Sequence, residues 1–175
     1  MPRLPAIDPA QAPEESKPVL RSFFEARGNY PNMFRTLAVR PAIMRTAAEH
    51  LAAVTGPGTV PQALKELCIV LVSALNSTPY CLASHSALAR KHGIDGSIIE
   101  SIRDYRADPR LGAAEKAALA VAESITRDPT HLPEPLWNDL RKHFDDGQIV
   151  EIVCSIGLFN YFNRVNNLLE MEITK

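Results

Sequence analysis

The sequence predicts an all-α protein built from eight or nine helices. Apolar residues recur at helical spacing along most of the chain. Proline and glycine separate these segments, and no Asn-Gly or Asp-Gly hairpin turn joins two alternating segments. The chain has 175 residues, 46% of them hydrophobic and 22% charged, which suits one globular domain with a sizeable core.

The N-terminal segment MPRLPAIDPAQAPEESKP is predicted to be an extended arm over residues 1–17. It lacks the apolar core of a secretory signal, and its prolines cannot donate helix hydrogen bonds. Residues 18–175 are expected to form a single helical domain. With no export signal, the cytoplasm is the expected location, and the longest apolar run, residues 67–75, is too short to span a membrane.

Glycine and proline set the bounds of the first helices. Gly28 ends the first one, and Pro41 stops the second while serving as a first-turn residue of the third. The segment TGPGTVP then forms a loop. Three helices are therefore predicted, at 19–26, 32–39 and 41–54.

The central pair of predicted helices is the most distinctive. Residues 61–76 are apolar on nearly every side after Glu66, which is typical of a buried helix. Residues 79–92 follow, and Gly93 ends that helix. Asp95 can cap the next helix, and Asp145 or Asp146 can cap the last one. The remaining helices are predicted at 95–105, 113–126, 136–144 and 148–169.

Charge and cysteine content narrow the classes of function. The formal net charge is -1 with no basic block, which argues against a nucleic-acid partner. The three widely spaced cysteines, Cys68, Cys81 and Cys154, do not form a disulfide framework. A free cysteine is often only a small buried hydrophobic residue. A functional role for any of the three therefore needs evidence from the neighbouring residues.

The segment from Thr78 to His85 has the clearest chemical character. The Thr78 hydroxyl can accept a hydrogen bond as N-cap, and Pro79 suits the first helical position. Cys81 is then the third helical residue, where the helix dipole should lower the thiol pKa and favour the reactive thiolate. His85 lies one turn further on the same face and can exchange protons there. The alternative is a buried cysteine beside a core histidine.

Glu66 is the third candidate, as the carboxylate near the start of an apolar helix. A buried carboxylate needs a partner, or its pKa rises. Simple hairpin geometry does not bring Glu66 to His85, because at about 1.5 Å per residue Glu66 lies farther from the corner. Their contact requires a bent corner or a crossing angle. The alternative is a solvated residue in the first turn.

These residues resemble a known motif. Glu66, eleven residues, Thr78, two residues, Cys81, three residues and His85 are similar to the motif of the alkylhydroperoxidase D (AhpD)-like and carboxymuconolactone decarboxylase superfamily. Its redox-active members have glutamate, eleven residues, CxxC, three residues and histidine. The segments NSTPYCLASHSALARKHG and LFNYFNRVNNLL resemble the peroxidase-related branch. The resemblance covers about residues 42–169.

The resemblance implies an AhpD-like helical bundle, assembled as homodimers, trimers or hexamers, that acts without a cofactor. It implies that Cys81 is the attacking thiol and that His85 and Glu66 relay protons. Tyr80 stands where some members have another histidine, so Thr78 and Tyr80 are expected to contact a small substrate. The first motif cysteine is replaced by Thr78, which excludes a two-cysteine cycle within the motif.

Three functions remain open. A peroxidase with one cysteine would stop at a sulfenate and need an external thiol, since Cys68 is a doubtful substitute in the preceding apolar helix. Alternatively, Glu66 and His85 would carry the acid–base chemistry of a cofactor-free decarboxylase or isomerase of a small carboxylic acid or lactone. The third reading is a non-catalytic oligomeric binding protein.

Two further patterns in the sequence give weaker predictions of function. Polar residues recur at helical spacing near the C-terminus, where they either bind an anionic ligand or form a polar stripe at a helix or subunit contact. They are Asn160, Asn163, Arg164 and Asn167. No histidine has metal-ligand spacing with another ligand type, so no metal is expected. A site made of Cys81, His85 and His92 is the remaining metal alternative.

Overall fold

The structure, a computed structural model, describes residues 1–174 and contains nine α-helices and no strand within that range. The predicted all-α class is confirmed. The chain divides into unit 1, formed by Met1–Gly56 with the segment from Val165 onward, and unit 2, formed by Pro57–Arg164. Across the same described range, every helix falls short of the length or apolar character that a bilayer crossing demands.

Unit 1 contains the first three helices, which the sequence predicts to within a few residues. They are α1 (Lys17–Arg27), α2 (Asn32–Leu37) and α3 (Pro41–Thr55). Gly28 ends α1 because its φ of 73° is a left-handed conformation that glycine adopts without strain. The aromatic rings of Phe23 and Phe34 stack with centroids 4.1 Å apart. The larger buried apolar side chains of this unit include Leu20, Met33, Phe34, Met44 and Leu51.

The N-terminal arm, residues 1–17, lies against α2. It contains two short 3-10 turns, Pro9–Gln11 and Glu14–Ser16. The guanidinium of Arg35 donates hydrogen bonds to two backbone carbonyls of the arm, at 2.8 and 3.2 Å. The grouping of residues 18–175 into one domain stays a prediction.

Unit 2 is built around a central buried helix. Its helices are α4 (Gln62–Leu75), α5 (Pro79–Lys91), α6 (Gly96–Glu100), α7 (Ala113–Arg127), α8 (Glu134–Leu140) and α9 (Asp146–Leu168), the last of which continues into unit 1. Every α4 residue from Leu64 to Ala74 is buried, as the pattern predicts, and α4 packs against α5 and α7. Asp145 caps α9, because its carboxylate accepts the Gln148 backbone N–H at 2.8 Å.

The helix predicted over residues 95–105 is wrong in its second half. Asp95 caps it as expected, accepting the backbone N–H of Ser97 at 2.7 Å. The helix ends at Glu100, and a 3-10 turn over Ile102–Asp104 follows. At the break, the Ser101 hydroxyl donates to the Ser97 carbonyl at 2.7 Å, a local bond that competes with regular helix geometry.

The corner between α4 and α5 is a Schellman turn. Ser77 takes the left-handed position with a φ of 50°, and its backbone N–H donates to the Ala74 carbonyl at 3.1 Å. The N–H of Thr78 donates to the Ser73 carbonyl at 2.9 Å, which closes the turn. Pro79 then begins α5 at once, so this corner fixes where the two helices meet.

Ser77→Gly is expected to stabilise the protein. A residue with a Cβ in the left-handed region is strained by about 1 kcal/mol, and glycine removes that strain. We expect the free energy of unfolding in urea to rise by about 0.5–1 kcal/mol. Ser77→Ala serves as the control, because it deletes the hydroxyl and keeps the strain. Equal stabilities of the two variants would contradict this account.

Candidate active site

The start of α5 places Cys81 at the third helical position, as the sequence predicts. Thr78 is the cap residue with an extended backbone, and Pro79 is the first helical residue. The predicted hydroxyl cap is wrong. The Thr78 side chain makes no bond to a first-turn amide, and its hydroxyl instead donates to the Asn76 carbonyl at 3.4 Å, two residues back in the turn. Thr78 is completely buried.

The side chains of Glu66 and His85 meet between α4 and α5. Glu66 Oε2 lies 2.8 Å from His85 Nδ1, and the two residues are only 3% and 8% exposed. The alternative of a solvated Glu66 is therefore wrong. The His85 ring also packs edge-on against Phe159 of α9, with centroids 4.5 Å apart. Two elements thus hold this imidazole in one orientation.

The Glu66–His85 bond has a direct chemical consequence. A carboxylate at Nδ1 favours the neutral tautomer that carries its proton on Nδ1, and this leaves Nε2 able to accept a proton. The carboxylate also stabilises the imidazolium that forms when Nε2 becomes protonated. The pair can therefore exchange protons, and its imidazole lies on α5 one turn after Cys81.

The three cysteines lie in different environments. Cys81 is 3% exposed, and Cys154 is exposed on α9. Cys68 is buried in α4, where loss of hydration raises the pKa of its thiol to about 12. Cys68 therefore stays a neutral thiol and is poorly suited to replace the missing motif cysteine. Tyr80 is buried next to Cys81 in the first turn of α5.

An ion pair that the sequence analysis does not identify joins Lys65, the residue before Glu66, to α9. Lys65 is 2% exposed, and its Nζ lies 2.7 Å from Glu151 Oε2 of α9. The hydrogen bond from Lys65 and the backbone N–H of Thr59, 2.8 Å from Oε1, lower the pKa of Glu151 to about 2. In the sequence, the adjacent Lys65 and Glu66 near a helix start are typical of solvent-exposed residues. No nearby residue indicates that Lys65 pairs with Glu151 or that Glu66 pairs with His85.

The polar stripe of α9 forms a helix contact. The side-chain amide of Asn76 donates to Asn160 at 2.9 Å and to Asn163 at 3.0 Å. The interpretation as a contact stripe is confirmed for these two residues, whereas Asn167 is exposed in unit 1. Arg164 is exposed and donates to the Asn160 carbonyl at 2.8 Å. Within residues 1–174, no cluster of three or more His, Cys, Asp or Glu is arranged to hold a metal ion.

Comparison with known proteins identifies the family. The model of the carboxymuconolactone decarboxylase family matches residues 41–124, a span that includes the Glu66–His85 pair. Over 113 residues the chain is 30% identical to the uncharacterized protein YdfG of Bacillus subtilis (strain 168), covering 64% of this chain and 77% of YdfG. The chain belongs to the carboxymuconolactone decarboxylase family.

Two solved structures have a fold similar to that of this protein. An uncharacterized peroxidase-related protein from Silicibacter sp. TM1040 is 27% identical, with a TM-score of 0.86 over 98% of this chain and 90% of that chain. An uncharacterized peroxidase-related protein from Ralstonia eutropha JMP134, an alkylhydroperoxidase AhpD core, is 24% identical, with a TM-score of 0.88 over 98% and 92%. The predicted AhpD-like helical fold is confirmed.

Proposed function

We propose that this protein is a thiol-dependent hydroperoxidase that works through the single cysteine Cys81. The observation that carries the proposal is the buried hydrogen bond of 2.8 Å between Glu66 and His85. A fixed acid–base pair one helical turn from a thiol at a helix start is a combination that peroxide reduction can use. The peroxidase-related protein of 27% identity supports the same class of chemistry.

The reaction needs one thiolate and one proton donor. The Cys81 thiolate attacks one peroxide oxygen, the O–O bond breaks, and Cys81 becomes a sulfenic acid. The proton that the Cys81 thiol gives up is taken by His85 Nε2, whose imidazolium is stabilised by Glu66, and it then passes to the departing alkoxide to form the alcohol. Thr78 and Tyr80 flank Pro79 in the first turn and would contact the organic group of the peroxide.

The catalytic cycle closes with an external reductant. A first thiol condenses with the sulfenic acid to give a mixed disulfide and water, and a second thiol releases reduced Cys81 and a soluble disulfide. The net reaction converts one hydroperoxide and two thiols into an alcohol, a disulfide and water. We expect a small cytoplasmic thiol as reductant, because Cys81 is only 3% exposed.

Trapping of the sulfenic acid tests the proposal. The Cys154→Ser protein is treated with cumene hydroperoxide and dimedone, and peptide mass spectrometry locates the adduct. Removing Cys154 matters because this thiol is exposed and would also react. We expect one adduct, at Cys81, together with thiol-dependent turnover of the peroxide. An unlabelled Cys81, or turnover that persists in Cys81→Ser, would exclude the proposed mechanism.

A cofactor-free decarboxylase or isomerase is the second candidate, because the Glu66–His85 pair can carry acid–base chemistry without a thiol. Its substrate would be a small carboxylic acid or lactone. In that case Cys81→Ser keeps most of the turnover of such a substrate, while His85→Ala loses it. Absence of turnover and of sulfenate formation would favour the non-catalytic binding protein.

A further inference from the structure

A pocket of about 310 Å³ lies between the N-terminal arm and the end of α2. This volume is at the lower end of the range that is typical of small-molecule sites. All of its lining residues belong to unit 1, so none of the candidate catalytic residues, which belong to unit 2, lines it. Most of the lining is apolar, and it is formed by Leu4, Pro5, Ala6, Ile7 and Val39.

Hydrogen bonds hold the arm that forms one wall of this pocket. The Arg35 guanidinium of α2 donates to the carbonyls of Ala6 and Ile7, at 3.2 and 2.8 Å. Near the other end of the arm, the buried hydroxyl of Ser16 donates to the Ala38 carbonyl at 2.8 Å. Because the arm is fixed by contacts within unit 1, the pocket is formed before any ligand binds, and this lowers the cost of binding.

The hydroxyl of Thr36 is the feature of the pocket that points to a ligand. Thr36 lines the pocket and is only 4% exposed, and its hydroxyl has no hydrogen-bond partner in the part of the chain that the structure describes. By contrast, the hydroxyls of Thr46 and Thr55 in α3 donate to carbonyls of their own helix. A polar group that is nearly removed from water is normally paired, because an unpaired one is destabilising. An oxygen atom of a ligand would accept this hydrogen bond.

The other lining residues favour a neutral and mostly apolar ligand. The carboxylate of Asp8 would repel an anion, and no Lys, Arg or His of the described chain lines the pocket to attract one. Leu4 and Val39 are 46% and 54% exposed, so an apolar ligand would remove apolar surface from water.

We propose that this pocket binds a small neutral molecule that is mostly apolar and carries one hydroxyl or carbonyl oxygen. The oxygen accepts the hydrogen bond of Thr36, and the apolar part lies against Leu4, Ile7 and Val39. This binding involves neither Cys81 nor the proposed peroxidase reaction, so it stands or fails independently of them.

Titration of the full chain with benzyl alcohol, followed by amide NMR, tests the proposal. We expect saturable binding of one molecule with a Kd of about 1 mM, and shifts at the backbone amides of Ile7 and Thr36. Toluene lacks the hydroxyl and benzoate carries a negative charge, so each should bind at least about fivefold more weakly. Absence of saturable binding, or shifts confined to unit 2, would overturn the proposal.

Thr36→Val keeps the shape of the side chain and removes the hydroxyl. We expect benzyl alcohol to bind about tenfold more weakly to this variant, and toluene to bind at least as tightly as to the wild type. Thr36→Ser keeps a hydroxyl and should keep the preference for benzyl alcohol. Thr46→Val is the matched control, because it makes the same change on the exposed side of α3, outside the pocket, and should leave both constants unchanged. Circular dichroism confirms that each variant folds. Unchanged binding of benzyl alcohol by Thr36→Val, or an equal loss for both ligands, would contradict the assigned role of Thr36.

Discussion

Cys81→Ser is expected to lower thiol-dependent hydroperoxide reduction by about a thousandfold or more, because the hydroxyl is a far weaker nucleophile than a thiolate. His85→Ala is expected to lose about a hundredfold, since proton transfer to the leaving oxygen then falls to water. Glu66→Gln keeps the shape of the side chain and removes the charge that stabilises the imidazolium. We expect a loss of about tenfold from this change. Steady-state rates with cumene hydroperoxide and dithiothreitol measure all three.

The two other cysteines provide matched controls. Cys154→Ser changes an exposed thiol and Cys68→Ala a buried one, so both should leave the rate within about threefold. A loss in Cys68→Ala as large as that in Cys81→Ser would mean that Cys68 takes part in the cycle, against the neutral state that its burial favours. An unchanged rate in His85→Ala would remove the proton relay from the mechanism.

Glu151→Ala is expected to lower the free energy of unfolding by about 3–5 kcal/mol, because it removes the carboxylate that lies 2.7 Å from the buried ammonium of Lys65. Adding Lys65→Met removes that charge and should recover part of the loss. Full recovery is not expected, since the N–H and hydroxyl of Thr59 also lose their acceptor. Urea denaturation followed by circular dichroism measures each variant. Glu49→Ala is the control, because the Arg45–Glu49 pair is exposed and contributes less than about 1 kcal/mol.

The same pair predicts a pH dependence. The pKa of Glu151 is lowered from its ordinary value of 4.5 to about 2 in the folded protein. A lowered pKa means that the stabilisation is complete above pH 4.5 and is lost as the pH falls toward 2. The wild type should therefore lose more stability over this range than Glu151→Gln does. Equal slopes for the two proteins would contradict the assignment.

Local chemistry explains what the sequence predicts correctly. The rigid ring of Pro79 and the lack of a donor on its nitrogen fix the start of α5, and the position of Cys81 follows by counting. Gly28 ends α1 for an equally local reason. The predicted hydrogen bond from a first-turn amide to the Thr78 hydroxyl is wrong, because the hydroxyl bonds the nearby Asn76 carbonyl of the Schellman turn instead.

Contacts between distant segments explain what the sequence leaves open. Glu66 contacts His85 because the corner at Ser77 turns α5 back along α4. The number of residues between Glu66 and His85 does not predict the angle of this corner. The partner of Lys65 lies 86 positions later in the chain, in another helix. A pattern within one helix predicts burial of a face, but it does not identify the side chain that covers it.

The buried thiol of Cys68 gives this protein an internal reporter of unfolding. Cys68 is 1% exposed within the central helix of unit 2, so an alkylating reagent reaches it only when that helix separates from its neighbours. In a timed labelling experiment Cys154 would be consumed first, and the slow consumption of Cys68 would give the opening equilibrium of the core under native conditions. Stability could then be followed in crude lysate without denaturant, one variant against another.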